Sequence, residues 1–273
     1  FIYLIGESTT CFSQVSMRQI LDQYNFSSIT INDGLPHNYI ENIYKDSQGF
    51  LWFSTHNGLS RYDGYSFVNY NITTPTVRLR SNFISGVCED TFNRLWIASE
   101  AGLDLLDLKM NMLERIDYSM FKSEDLSKEP VNFILKDRKG DIWLTTQANL
   151  YHLTFDNNGK VVSCSALKSK YDSHSAPVTA LQLCNGEVWI GYRHSLYRMN
   201  GEKGQQLNLS KIYPDFTLDD QTSIHCFCSY GGYLWIGTNH GLFRLNPKTG
   251  EKKGYFQHDD NVYSLTQNDI TAL

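Results

Sequence analysis

An all-β chain, folded as a β-propeller of four-stranded blades, is predicted by three observations. Tryptophan recurs at Trp52, Trp96, Trp143, Trp189 and Trp235; a leucine stands seven residues after each, at Leu59, Leu103, Leu150, Leu196 and Leu242; and an apolar strand begins eleven or twelve residues before each, at Ile40, Ile84, Val131, Val178 and Ile224. A turn-rich, strand-like repeat of this length marks one propeller blade per period. The spacing divides the chain into five complete blades, at about 33–75, 76–120, 121–170, 171–215 and 216–260, with the start of a sixth at 264.

Within each blade the innermost strand comes first, as in Ile40 to Asp46, and a short turn joins it to the strand that carries tryptophan. Those turns are Ser47-Gln48-Gly49, Thr91-Phe92-Asn93, Arg138-Lys139-Gly140, Asn185-Gly186 and Gly231-Gly232. A second tight turn follows, with Gly58, Gly102 and Gly241 supplying the positive φ that such hairpins need. Asn149 and Ser195 hold that place in the other two repeats; asparagine tolerates the conformation, whereas serine implies a different turn. The third strand starts at the leucine. A more polar fourth strand is clearest at Phe67 to Tyr70, Leu113 to Ile116 and Tyr255 to Gln257. Inner strands are covered on both faces and the outermost is half wet, so the apolar signal fades outward.

The ends are expected to leave the propeller truncated. Phe26 to Thr30 reads as an outer strand with no blade before it, and Leu265 to Leu273 repeats the approach to an inner strand seen in Leu79 to Ile84. Residues 1–25 form an N-terminal tail or the remnant of a signal peptide, with apolar Phe1 to Gly6 and a tolerable cleavage site at Cys11-Phe12-Ser13 before Gln14.

Composition narrows the function. A net charge of -5 with no basic run argues against a nucleic-acid surface. No stretch of about 18 apolar residues is present to span a bilayer as a helix. Cys88 and Cys228 share the inner-strand position of Tyr44 and read as core fillers. Cys226 and Cys228 lack ligand spacing, and Cys164 and Cys184 give no disulfide framework.

Catalytic and metal signals are sparse, and no cofactor is expected. His56, His194 and His240 fall in turns between second and third strands, on the face where successive blades are linked. Asp46, Asp90 and Asp137 recur at the end of the inner strand, which suits turn amides capped by a carboxylate better than a unique acid or base. The turn residues vary while their framework repeats: His56 and Asn57, Glu100, Gln147, Arg193 and His194, Asn239 and His240, with Tyr192 as an aromatic available for stacking on a sugar ring. Polar groups displayed from rigid strands suit a hydroxyl-rich ligand, and these nine residues are the candidate binding set.

The string Asp33-Gly34-Leu35-Pro36-His37-Asn38, then Ile43 to Thr55 and Asn57-Gly58-Leu59-Ser60-Arg61-Tyr62-Asp63-Gly64, resembles the two-component regulator propeller repeat. Copies three and four depart from it, since Ala148-Asn149-Leu150 and His194-Ser195-Leu196 lack the glycine. The resemblance implies a periplasmic sensor region of a hybrid two-component histidine kinase, taking an oligosaccharide or other small polar ligand. It also implies a homodimer in the full-length protein, and membrane attachment through segments outside this sequence. A protein-interaction scaffold is the alternative. A propeller lyase or hydrolase, resting on His56, His194 and His240, is the third reading.

Overall fold

The computed structural model describes residues 27–114, 116, 129–147, 149–167, 178–192, 195–199, 206–208, 222–261 and 264–273. These residues form five four-stranded antiparallel sheets, each with its strands in chain order. The first blade comprises Ile40–Lys45 (β1), Leu51–Thr55 (β2), Gly58–Tyr62 (β3) and Phe67–Tyr70 (β4). The second comprises Ile84–Glu89 (β5), Arg94–Ser99 (β6), Gly102–Asp107 (β7) and Met112–Glu114 (β8), and the third Phe133–Lys136 (β9), Ile142–Thr145 (β10), Leu150–Phe155 (β11) and Val161–Leu167 (β12). In the fourth lie Val178–Cys184 (β13), Glu187–Tyr192 (β14), Ser195–Met199 (β15) and Gln206–Asn208 (β16); in the fifth, Ile224–Tyr230 (β17), Tyr233–Thr238 (β18), Gly241–Leu245 (β19) and Lys252–Tyr255 (β20).

The first strands of successive blades lie side by side, β1 by β5, β5 by β9, β9 by β13 and β13 by β17, so they are innermost as predicted. Each of the first four indoles is seated against the next blade. Trp52 packs with Val87, Leu95, Ile97 and Leu106; Trp96 with Ile142, Leu144 and Leu153; Trp143 with Val188 and Ile190; Trp189 with Leu234, Ile236 and Leu245. One aromatic per period thus seals each interface between blades, which is why the repeat is legible at all.

The aspartates cap turn amides as expected, and they also hold the indoles. Asp46 Oδ1 accepts from the backbone N–H groups of Gln48 (3.0 Å) and Phe50 (2.9 Å), while its Oδ2 accepts from Trp52 Nε1 at 2.8 Å. Asp90 and Asp137 repeat the arrangement, with Trp96 and Trp143 Nε1 each at 3.0 Å. Blades four and five place Leu183 and Ser229 six residues before tryptophan and use two-residue turns whose residues, Asn185-Gly186 and Gly231-Gly232, all have positive φ. There Trp189 and Trp235 Nε1 are buried with no partner among the described residues. A cation lies over each of these rings, as Arg61 does over Trp52 at 5.9 Å: Arg198 is 5.8 Å from Trp189, and Arg244 5.9 Å from Trp235.

The tight turn between second and third strands explains its glycine. Gly58 has φ +105°, and a Cβ there would sit 2.2 Å from the Tyr70 carbonyl oxygen of the neighbouring strand. A hydroxyl closes the same turn: Thr55 Oγ1 donates to Gly58 O (2.8 Å), Ser99 Oγ to Gly102 O (3.1 Å) and Thr238 Oγ1 to Gly241 O (2.8 Å). In blade three Asn149 replaces glycine, and the turn is held by Thr146 N donating to Asn149 O at 2.9 Å.

Several expectations are corrected. Residues 27–30 form no strand; Thr30 caps a short 3-10 helix, Ile31–Asp33, its own N–H bonded to Asp33 Oδ2 at 2.8 Å, because a Thr-x-x-Asp string favours a capping box over an extended run. Two of the fourth strands are Met112–Glu114 and Lys252–Tyr255, one to three residues from where their weak alternation placed them, and β9 starts at Phe133. No strand forms in residues 264–273, so the expected start of a sixth blade is not formed among the described residues. The segment instead follows the path of a linker: Gly241 N donates to Asn268 O at 2.7 Å, as Gly58 N does to Asn82 O at 2.7 Å. Cys88, Cys164, Cys184, Cys226 and Cys228 are free thiols; burial pushes Cys164 and Cys226 up to about 11, so neither is a ready thiolate.

Candidate functional site

Turns between second and third strands share one face with the links between blades. Glu100 N donates to Phe83 O (3.2 Å), Val131 N to Ser99 O (3.0 Å) and Asn239 N to Ser223 O (3.2 Å), so each turn is stitched to a linker by backbone bonds. The candidate residues therefore lie on a rigid rim.

Their surroundings differ. His56 is half-buried among rings, stacked on Tyr39 with centroids 4.1 Å apart at an interplanar angle of 27° and tilted against Phe83 at 4.7 Å and 36°. His37 lies 5.7 Å away, also stacked. His56 Nε2 and Glu41 Oε1 are 2.7 Å apart. Tyr39 is 56% and Phe83 44% exposed, which leaves two aromatic rings open to solvent at the junction of blades one and two. Asn57 is bound into the scaffold, its Nδ2 donating to Pro36 O (3.2 Å) and its Oδ1 accepting from Asn82 Nδ2 (3.3 Å). Asn239 Oδ1 likewise accepts from Ser223 N at 2.6 Å. Glu100, Gln147 and His240 are exposed, and none of their side chains bonds to another described residue.

Tyr192 does not present a ring to solvent. It is 7% exposed and packs edge-on against Tyr197 at 5.0 Å, because the last residue of each second strand faces the blade interior, as Thr55, Ser99 and Thr238 do. Arg193 and His194 lie outside the described residues.

A recurrent bulge aims further side chains at this rim. In β1, β5, β13 and β17 one residue near the start of the strand is unpaired, at Glu41, Ser85, Thr179 and His225. Ser85 Oγ donates to Val131 O of the next linker, Thr179 Oγ1 donates to Gly191 O (3.3 Å), and His225 Nδ1 lies 3.2 Å from Asp269. Glu41 alone among these four turns to a ring in the candidate set. Sequence reading missed Tyr39, Phe83 and Glu41 because it followed the turn after tryptophan and not the residues flanking the start of the inner strand.

Elsewhere, Asp137, Asp141 and His152 bring ligand atoms within 4.8 Å of one another. His152 stacks on Trp143 at 4.0 Å and lies 3.2 Å from Asp141, the place that Arg198, 3.4 Å from Glu187 and above Trp189, takes in the next blade. The trio is thus the third blade's form of a repeated structural pair.

Residues 34–57 and 78–101 match the family described as "Two component regulator propeller". No curated protein matches significantly. Among solved structures, the chain is similar to extracellular domains assigned to two hybrid two-component systems of B. thetaiotaomicron. The first has 19% identity and a TM-score of 0.65, covering 90% of this chain and 38% of that one. The second has 19% identity and a TM-score of 0.56, covering 85% and 35%. Streptogramin B lyase is also similar, at 16% identity and a TM-score of 0.60, covering 81% of this chain and 70% of that one. At such identities the likeness is one of fold, and the chain spans little more than a third of the two extracellular domains. The chain is therefore a β-propeller of four-stranded blades, in which residues 34–57 and 78–101 match the two-component regulator propeller repeat.

Proposed function

We propose that this propeller is a non-catalytic, extracytoplasmic ligand-sensing part of a hybrid two-component signalling protein, periplasmic in location, whose ligand is derived from a glycan. The observation that carries the reading is the rim at the junction of blades one and two. Exposed Tyr39 and Phe83 and the Glu41–His56 pair are held there by backbone-stitched turns, and polar and aromatic groups on a fixed frame suit a hydroxyl-rich molecule. Similarity to extracellular domains of two-component systems supports the signalling context. The test is calorimetric titration and thermal shift of the full chain with polysaccharide digests. A digest that raises Tm in a saturable way supports sensing, and inertness toward every digest, neutral and anionic, overturns it.

A further inference from the structure

We propose that the Tyr39–His56–Phe83 stack is the platform on which this face takes one neutral pyranose residue. The inference rests on the glycan-sensing reading and specifies its site and substrate class. Three rings from three separate segments meet here: Tyr39 before β1, His56 in the turn after β2, and Phe83 in the linker to β5. Stacking of this kind usually ends in burial, yet the outer two rings stay 56% and 44% exposed. The C–H face of a pyranose is apolar and flat, and it matches an open aromatic face.

The polar groups around the stack complete the match. Tyr39 N donates to His37 Nδ1 at 2.9 Å, which makes Nδ1 the acceptor and leaves Nε2 as the ring's donor. Glu41 Oε1 is committed to His56, while Oε2 accepts from no described residue and is available to ligand hydroxyls. Tyr39 Oη is likewise without a described partner. One donor, one acceptor and one hydroxyl beside two rings suit vicinal hydroxyls. A carboxylate at the edge repels sulfate and uronate groups, which makes the preferred residue neutral.

Glu41 owes its position to the bulge in β1, which leaves it out of the ladder. The matching side chains of β5 and β17 contact the following linker, whereas Glu41 faces His56. Blade one has thus turned a structural position toward the ring stack.

The experiment is saturation-transfer NMR and calorimetry of the full chain with neutral hexasaccharides of β-1,4-glucose, α-1,4-glucose, β-1,4-mannose and β-1,4-galactose, beside chondroitin sulfate and galacturonate oligomers. At least one neutral hexasaccharide is expected to bind. Tyr39→Ala or Phe83→Ala, whichever ring carries the sugar, weakens it about tenfold with unchanged Tm, as the rings are exposed, and tryptophan at that position keeps binding. Glu41→Gln is expected to lessen discrimination against the anionic oligomers. Binding of anionic oligomers only, or neutral binding untouched by both alanine variants, overturns the platform while sensing stands. Wild-type inertness toward all probes and toward crude digests overturns both.

Discussion

Replacing Asp46 by alanine tests whether a carboxylate beneath the indole holds the inner hairpin of a blade. Asp46 is 6% exposed and accepts three hydrogen bonds, two from turn amides and one from Trp52, whose side chain is fully buried. Water reaches the turn amides, so each costs only about 0.5 kcal/mol when the carboxylate goes. The sealed indole N–H is stranded, at about 1–3 kcal/mol. Asp46→Ala is therefore expected to lower stability by about 2–4 kcal/mol, read by urea unfolding with tryptophan fluorescence and far-UV circular dichroism. Combining it with Trp52→Phe, which keeps a ring and lacks the N–H, isolates the bond as a coupling of about 1–3 kcal/mol. Trp189 provides the internal control. Its Nε1 has no acceptor among the described residues, so Trp189→Phe is expected to cost less than Trp52→Phe by a similar amount. A coupling under about 0.5 kcal/mol, or equal cost for the two tryptophans, would refute the reasoning.

Gly58→Ala, with φ +105° and a carbonyl 2.2 Å from the new Cβ, is expected to lower Tm well beyond Gly49→Ala, where φ is +95° and nothing lies within 4 Å; equal shifts would discard the close-approach argument. Burial raises the Asp104 carboxyl above its ordinary 3.8, against the lowering effect of Arg80 beside it. Folded pKa above unfolded means that charge costs stability at neutral pH. That cost is relieved as pH falls through the raised value, so Asp104→Asn should flatten this part of the stability curve in urea titrations from pH 7 to 4. Asp63 runs the other way, since turn amides of Ser66 and Tyr65 hold it below 3.8, and its contribution is lost as pH falls below that value. Ser85→Ala removes the bond to the Val131 linker and is expected to cost about 1 kcal/mol of stability with no effect on ligand affinity, whereas Glu41→Gln should spare stability and alter binding.

The blade pattern was legible because tryptophan sits where each blade meets the next, a place with no freedom to drift. Turn capping by Asp46, Asp90 and Asp137 was legible for the same reason, but the bond to the indole six residues on was not, since it crosses a hairpin whose folding back a linear reading does not display. The clue was negative: the two blades without that aspartate are those with two-residue turns. The outer strand Phe67–Tyr70 was legible as it stands, whereas the two others slipped by one to three residues because one wet face gives weak alternation. Tyr192 was misplaced by chemistry overriding position. The corresponding residues Thr55, Ser99 and Thr238 are buried, and a tyrosine at that place is buried too.

The candidate site was half legible for a physical reason. A propeller blade exposes three kinds of position on its linker face: the turn after the second strand, the residue before the inner strand, and the bulge within it. Only the first is contiguous with the tryptophan motif. The other two lie ten or more residues upstream of the tryptophan and reach the turn by the antiparallel pairing of Ile40 with Thr55. Across blades the three positions read Tyr39, Glu41 and His56, then Phe83, Ser85 and Glu100, and finally Ser223, His225 and Asn239. The last set is spent on the scaffold, through Ser223 N to Asn239 Oδ1 and His225 beside Asp269. The first joins Phe83 to place aromatic faces and a carboxylate in solvent. The scaffold needs each blade to fill its rim, and it does not need exposed rings there. Blade one is where that structural requirement is exceeded, and the excess is what a ligand can use.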